Sequence, residues 1–388
     1  MKILLVSDVY RYTTNGAAGV VVILADALRA YGHQVKVLSL STTRESFREG
    51  DDYYFSSLPF PVYPEIRQSL VIRHPFIEEL KAWRPDVIHI HTEGSAARLG
   101  RIISRTTHAP IVMTMHTDYA KFVFHNRSDA RVLKLAGKPL TSFFYRRAKV
   151  VTTPSKKAKM LLLSYHFRKK VVVIPNGIKL ERFRKDYMEG EREELFAQWG
   201  IPDNGKLFVI VSRLSLEKNI EEILEFFREI VEKEREARLL IVGDGPDMSH
   251  LQKYTEELGI SDHVIFAGRI SQEVLYRYYK AGTAFLSAST FEMHSLTYLE
   301  ALACGLPLIC RDDPCLAGVL QDGKNGYIYH TKEEFVDRCL TMIHDKETRD
   351  RMAEASLKRS EVFSDMALAR RMVRLYERMT GLDEERQG

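Results

Sequence analysis

KLFVIVSRL (206–214) is a continuous apolar run of strand length that closes on Ser, Arg and Leu and leads through a short loop into a helix-like segment, Ile220–Glu236. The chain opens in the same way, with KILLVSDV (2–9) followed by a loop and then Val20–Tyr31. Between these two starts, VKVLSL (35–40), DVIHIH (86–91), PIVMTMH (110–116), KVVTTPS (149–155) and KVVVIPN (170–176) alternate with helical stretches. The alternation continues through ARLLIVGDG (237–245), HVIFAG (263–268), TAFLSAS (283–289) and LPLICRD (306–312). Short apolar runs separated by helices are the pattern of parallel sheets covered on both faces. Because the rhythm restarts near residue 206, the sequence predicts an α/β chain of two Rossmann-like doubly wound domains facing across a cleft.

Pro and Gly in PNGIKLERF (175–183) punctuate the last strand of the first half and place the joint there. The expected division is an N-terminal domain over 1–178 and a C-terminal domain over 179–363. SDMALARRMVRLYERM (364–379) has apolar residues at helical spacing, so the segment of about 364–388 is expected to pack back on the first domain. Glu189–Glu194 reads as a solvated acidic helix start.

The composition fits this reading. At 388 residues the chain is long for one domain, and 45% hydrophobic with 28% charged residues excludes long disorder and fibrous repeats. No stretch reaches the roughly 20 uncharged apolar residues of a membrane span. Asp8 interrupts an opening apolar run too short for a secretory signal. Cys304, Cys310, Cys315 and Cys339 crowd the last quarter without zinc spacing, which points to reduced thiols and a cytoplasmic protein.

The net charge of +5 conceals an imbalance. Residues 1–175 carry 27 Lys/Arg against 13 Asp/Glu, a balance of +14, and residues 176–388 carry 30 against 39, a balance of −9. A basic half suits an anionic partner, whether nucleic acid, phospholipid or phosphorylated substrate, although scattered solvated charges give the same count.

Ligands of such folds sit at the carboxyl ends of the strands, so the loops there carry the candidates. The first, DVYRYTTNGAAG, brings Gly16 and Gly19 to a helix start but lacks G-x-G-x-x-G directly after the strand, so the dinucleotide fingerprint is missing. A glycine turn there serves either an anion or a plain change of direction. SRLSLEKN sets Arg213 and Lys218 five residues apart ahead of a helix, a clamp suited to a diphosphate. GDGP (243–246) reads as a structural turn. In TFEMHSLTYLEALACGLPLI (290–309), Glu292 and Glu300 bracket a helix start. Ser295, Leu296 and Thr297 form its first turn, where free N–H groups can receive phosphate oxygens. A Glu pair at this spacing also reads as a solvated helix face.

Taken in order, these stretches together with GHQV (32–35), RPDVIHIH (84–91), TMHTDY (114–119), TPSKKAKMLL (153–162), VIPNGI (173–178) and VIFAGRIS (264–271) resemble the retaining glycosyltransferases of family 4, which have the two-domain GT-B fold. EMHSLTYLEALACGLPLI and DDPCLAGVLQDGKNGYIY (312–329) are most similar to bacterial glucosyldiacylglycerol synthases. The resemblance implies a hexosyltransferase moving glucose from UDP-glucose to a diacylglycerol-type lipid at the inner membrane face. It implies that Glu292 binds the donor sugar hydroxyls, Glu300 the ribose, and Arg213 with Lys218 the diphosphate. The Ile270 region would take the uracil, and His116 would lie beside the reacting sugar, with Gly16 in the first loop. It implies no metal; Asp312 and Asp313 are adjacent and read as a loop, and His89 and His91 read as structural. Asp118 is a weaker candidate to assist deprotonation. The family usually has Gly where Ser295 stands, which bears on donor identity.

The segments 63–84 and 130–150 mix Arg and Lys with Leu, Phe, Trp and Tyr, as stretches lying on anionic lipid do, and as core-facing helices also do. Other readings within the fold are transfer to a soluble or polyprenyl-linked acceptor, or an inactive membrane-binding homologue. A nicotinamide oxidoreductase lacks its fingerprint here, and a nucleic-acid binder lacks a reader motif.

Overall fold

The computed structural model describes residues 1–12, 16–59, 67–116, 143–165, 167–202 and 206–381. The chain forms two compact units, one from Met1–Gly177 with Asp365–Gly388, the other from Ile178–Ser364.

The first unit runs β1 (Lys2–Val6), α1 (Gly16–Ala30), β2 (Gln34–Leu40), β3 (Phe47–Glu49), β4 (Asp52–Phe55), β5 (Leu58–Pro59), β6 (Arg67–Gln68), α2 (Pro75–Trp83), β7 (Val87–Ile90), α3 (Ser95–Thr107), β8 (Ile111–Thr114), β9 (Val150–Thr153), α4 (Lys156–Ser164) and β10 (Val171–Val173). Its main sheet has the order β10-β9-β8-β7-β1-β2-β4-β3, parallel except for the β3–β4 edge pair. Alternate residues of a strand face opposite sides, and here each side meets its own helices. Leu4, Val6, Ile88 and Ile90 pack with Ile77 and Leu80 of α2 and Leu99 and Ile103 of α3. Ile3, Leu5, Val87 and Val112 pack with Val21, Leu24 and Leu28 of α1 and with Leu368, Met372 and Tyr376, from the chain's last described helix. Each fully buried aliphatic side chain contributes roughly 1.5–3 kcal/mol.

The second unit runs α5 (Leu180–Phe183), α6 (Glu191–Trp199), β11 (Leu207–Val211), α7 (Ile220–Lys233), β12 (Arg238–Val242), α8 (Met248–Glu257), β13 (Val264–Gly268), α9 (Leu275–Ala281), β14 (Ala284–Ser287), α10 (Leu296–Ala303), β15 (Leu308–Arg311), β16 (Gly326–Tyr329), α11 (Lys332–His344) and α12 (Lys346–Ser360). The chain then passes into α13 (Asp365–Thr380), which belongs to the first unit. The second sheet is parallel throughout, in the order β13-β12-β11-β14-β15-β16. Strand order reverses between β11 and β14 here, and between β1 and β7 in the first unit. Those two reversals are where such sheets open to ligands.

Two local readings change. Glu191 is not solvated: it is buried, accepts hydrogen bonds from Tyr276 Oη (2.9 Å) and Met188 N (3.0 Å), and pairs with Arg277. A carboxylate with those partners tolerates burial. α2 spends its apolar face on the core through Ile77 and Leu80, so that part of the 63–84 segment is not a surface stripe. Its N-terminus is capped by His74, whose Nδ1 accepts from Phe76 N at 3.2 Å ahead of Pro75.

Candidate active site

At the reversal between β11 and β14 lies a small recess, lined in part by Ser212, Lys218, Ser287, Ser289, Glu292 and Thr297. Lys218 ends the 3-10 turn Leu216–Lys218, after which Asn219 takes a left-handed conformation (φ 53°) and starts α7. Ser289 Oγ, past the end of β14, donates to the Glu217 carbonyl at 3.2 Å and ties that turn to the loop bearing Glu292. Lys218 and Glu292 thereby meet as a largely buried ion pair.

The glycines of GDGP explain how these loops fit together. Gly243 has φ 138°, and a Cβ there would stand 1.8 Å from the Ser212 carbonyl oxygen. The chain after β12 therefore lies directly on the loop after β11, with Leu214 N donating to Asp244 O at 3.1 Å and Asp247 N to Leu214 O at 3.1 Å.

α10 enters from Ser295, an extended residue (φ −70°, ψ 127°) at its N-cap. The Ser295 hydroxyl lies 2.9 Å from Thr297 Oγ1 and caps no backbone N–H. The amides of the first turn thus keep their capacity for an anion. Glu300 lies one turn further in and does not line the recess; it is buried and accepts from Tyr279 Oη at 2.8 Å. Burial pushes its carboxyl up to about 7, against the opposing pull of the Tyr279 hydroxyl and Arg182. Arg213 is exposed two residues past β11, Leu296 packs on the core, and Ile270 is half-buried two residues past β13. The second unit therefore joins Lys218, Glu292 and Thr297 in one recess, and sets Arg213, Ile270, Ser295, Leu296 and Glu300 on the loops and helix around it.

His116 and Gly16 belong to the first unit. Gly16 opens α1 as an exposed residue. His116 follows β8, half-buried, with Nε2 3.0 Å from His91 Nδ1 and burial holding it down to about 4. Asp118 and residues 130–142 lie outside the described residues. Asp313 caps the turn at Pro314–Leu316, accepting from Cys315 N at 2.8 Å, as a loop role requires.

Sequence reasoning passed over part of this chemistry. Ser212, Ser287 and Ser289 line the recess, and the serines of FLSAS at a strand end were the available signal. In the first unit, Asp8 accepts from Gly94 N (3.0 Å) and Ala96 N (2.8 Å) at the start of α3. Beside it Glu93 is buried, hydrogen-bonded by Tyr145 Oη, and pushed by burial up to about 7.

The chain aligns over 97% of its length with 99% of Anabaena HepE in complex with UDP, at a TM-score of 0.74 and 18% identity. It aligns over 98% of its length with all of sucrose-phosphate synthase from Thermosynechococcus elongatus, at 0.76 and 18%. At that identity the likeness establishes the GT-B fold. Sequence carries the assignment further: residues 191–359 match the family "Glycosyl transferases group 1" and residues 14–182 match "Glycosyltransferase Family 4". Alpha-monoglucosyldiacylglycerol synthase of Streptococcus pneumoniae is 32% identical over 347 residues, 88% of this chain and 78% of its own. The Acholeplasma laidlawii protein of the same name is 29% identical over 92% of this chain and 93% of its own. The chain belongs to glycosyltransferase family 4 and is a hexosyltransferase.

Proposed function

We propose that this enzyme transfers glucose from UDP-glucose, with retention, to a diacylglycerol-type lipid while resting on the inner face of the cell membrane. The observation that carries the reading is the Lys218–Glu292 pair in the recess at the β11–β14 reversal. A cation for a diphosphate and a carboxylate for sugar hydroxyls stand side by side there, beside the uncapped first turn of α10. Arg213 adds a second cation, Ile270 borders the uracil, and His116 is assigned to the reacting sugar. Two relatives named for monoglucosyldiacylglycerol synthesis support the lipid acceptor.

The acceptor hydroxyl attacks C1 of the sugar from the side on which UDP departs. The C1–O bond to the β-phosphate breaks, its electron pair leaves with UDP, and the acceptor proton passes to a β-phosphate oxygen. The protein supplies position and positive charge, with Arg213 and Lys218 stabilising the leaving group and no metal.

Membrane contact is assigned to the first unit. Leu70 and Ile72 stand 76% and 62% exposed beside Arg73, and Phe143 is exposed with Arg146 5.3 Å over its ring, next to Arg147. Among the described residues no helix is long and apolar enough to cross a membrane.

The test is a screen of UDP- and GDP-sugars against diacylglycerol, glucosyldiacylglycerol and soluble acceptors, with products identified by mass. Glucosyl transfer from UDP-glucose to diacylglycerol is expected. Transfer only to a soluble acceptor, or no transfer and no thermal stabilisation by UDP, overturns the reading.

A further inference from the structure

The first unit carries three histidines on one side of neighbouring strands. β7 and β8 run parallel with His89 opposite Val112, and His91 and His116 continue these strands past their ends. His89 is satisfied at both nitrogens, Nδ1 at 2.6 Å from Tyr376 Oη of α13 and Nε2 at 2.6 Å from Thr114 Oγ1. Its ring lies against His91 with centroids 4.0 Å apart. His91 in turn stacks on His116, with centroids 5.3 Å apart and planes within 19°.

His91 differs from His89 in one respect. Its Nδ1 meets His116 Nε2 at 3.0 Å, but its Nε2 is buried with no hydrogen-bond partner. The residue as a whole is 2% exposed. Burial keeps both rings neutral at ordinary pH, assisted at His91 by the neighbouring His89 and His116. A neutral imidazole has one N–H and one bare nitrogen, so a single proton joins the pair and its placement fixes both tautomers.

If His116 donated, His91 would hold its own proton on Nε2, an N–H buried with nowhere to go. If His91 donates from Nδ1, the orphaned atom is a bare lone pair. Orphaned buried N–H groups are the rarer of the two in folded proteins. We propose that His91 is a positioning residue that donates from Nδ1 to His116 Nε2 and so fixes His116 in the tautomer protonated at Nδ1. His116 then meets a substrate as a hydrogen-bond donor in a ring plane set by the stack. It serves a sugar hydroxyl oxygen in that state and takes no proton from the acceptor. The consequence for substrate rests on the function proposed above; the tautomer itself does not.

The experiment is long-range nitrogen–proton NMR of the full chain labelled at its histidines, at neutral to mildly alkaline pH. His91→Asn and His116→Gln assign the signals, and either one suffices if the other fails to fold. The wild type is expected to show His116 with a protonated Nδ1 and a bare Nε2. His91→Asn, whose amide N–H replaces the Nδ1 donor, is expected to keep that tautomer and stay within a few-fold of wild-type kcat. His91→Leu is expected to lose the tautomer and about 10–100-fold in kcat, with UDP affinity unchanged because the recess lies in the other unit. A bare Nδ1 on His116 in the wild type overturns the proposal. Full activity in a folded His116→Gln variant overturns instead the role given to His116, leaving the tautomer standing.

Discussion

Glu292 is paired with Lys218, a residue 74 positions earlier in the chain, inside the recess that the β11–β14 reversal opens. Each holds the other's charge in a partly desolvated place, so neither can be removed without leaving its partner uncompensated. A ligand with a diphosphate and a hydroxyl-rich ring offers both groups replacement partners at once.

Replacing Glu292 with Ala therefore has two opposite effects. Transfer is expected to fall by about 10²–10³-fold, while UDP binds at least as tightly because Lys218 is released. Turnover assays and calorimetry with UDP read the two effects separately; near-normal turnover means that the sugar site lies elsewhere.

The cations are expected to behave otherwise. Arg213→Ala and Lys218→Ala should each lower kcat by roughly 10²–10³-fold and weaken UDP, while leaving the affinity for uridine unchanged. Equal losses for UDP and uridine would assign these residues to the base or to the fold.

Glu300 and Tyr279 form a buried pair whose members tolerate different losses. Glu300→Gln keeps an acceptor for the Tyr279 hydroxyl and is expected to unfold close to wild type. Glu300→Leu orphans that hydroxyl and should cost about 1–3 kcal/mol, read from urea unfolding. If the two variants unfold alike, the hydrogen bond carries no stability.

Acid should loosen the first unit through His89. This fully buried ring is held to about 3 by burial, assisted by His116, whereas an unfolded histidine titrates near 6.5. The unfolded chain binds the proton first, so the contribution is complete above about pH 6.5 and is lost as pH falls toward 3. Between pH 7 and pH 5 the loss is about 2 kcal/mol. Urea unfolding at both values, compared with His89→Asn, measures it; parallel losses in the two proteins would contradict a buried neutral ring.

Binding to vesicles with anionic lipid should weaken steeply as salt rises. Neutralising Arg146 and Arg147 together should remove about 2 kcal/mol at low salt, roughly 1 kcal/mol for each cation near the surface. Co-sedimentation that does not change with either treatment would remove this stretch from the contact.

The alternating architecture was legible because strands buried on both faces leave continuous apolar runs such as KLFVIVSRL, and helices between them leave an apolar stripe. The edge strands β3, β5, β6 and β16 were not, since two to four residues with one open side leave no run to read. Lys218 and Glu292 were legible as separate strand-end residues, but their pairing depends on the Ser289–Glu217 tie, which no spacing encodes. Glu300 stood in the sequence as the second member of a pair. Only the packing of α9 on α10 shows that its side chain answers Tyr279 and not the recess. Glu191 looked solvated because its neighbours are acidic, while its partners Tyr276 and Arg277 lie some 85 residues away.

Because α13 completes the first unit, the second unit is an insertion in the first: the chain leaves at Gly177 and returns at Asp365. Ribosomal synthesis therefore finishes the inserted unit while its host still lacks a wall. Until α13 emerges, the face containing Ile3, Leu5 and Val112 has no Leu368 or Met372 against it, and His89 has no Tyr376. A ribosome stalled before α13 would therefore hold the whole second unit tethered to a first unit still missing one of its helices.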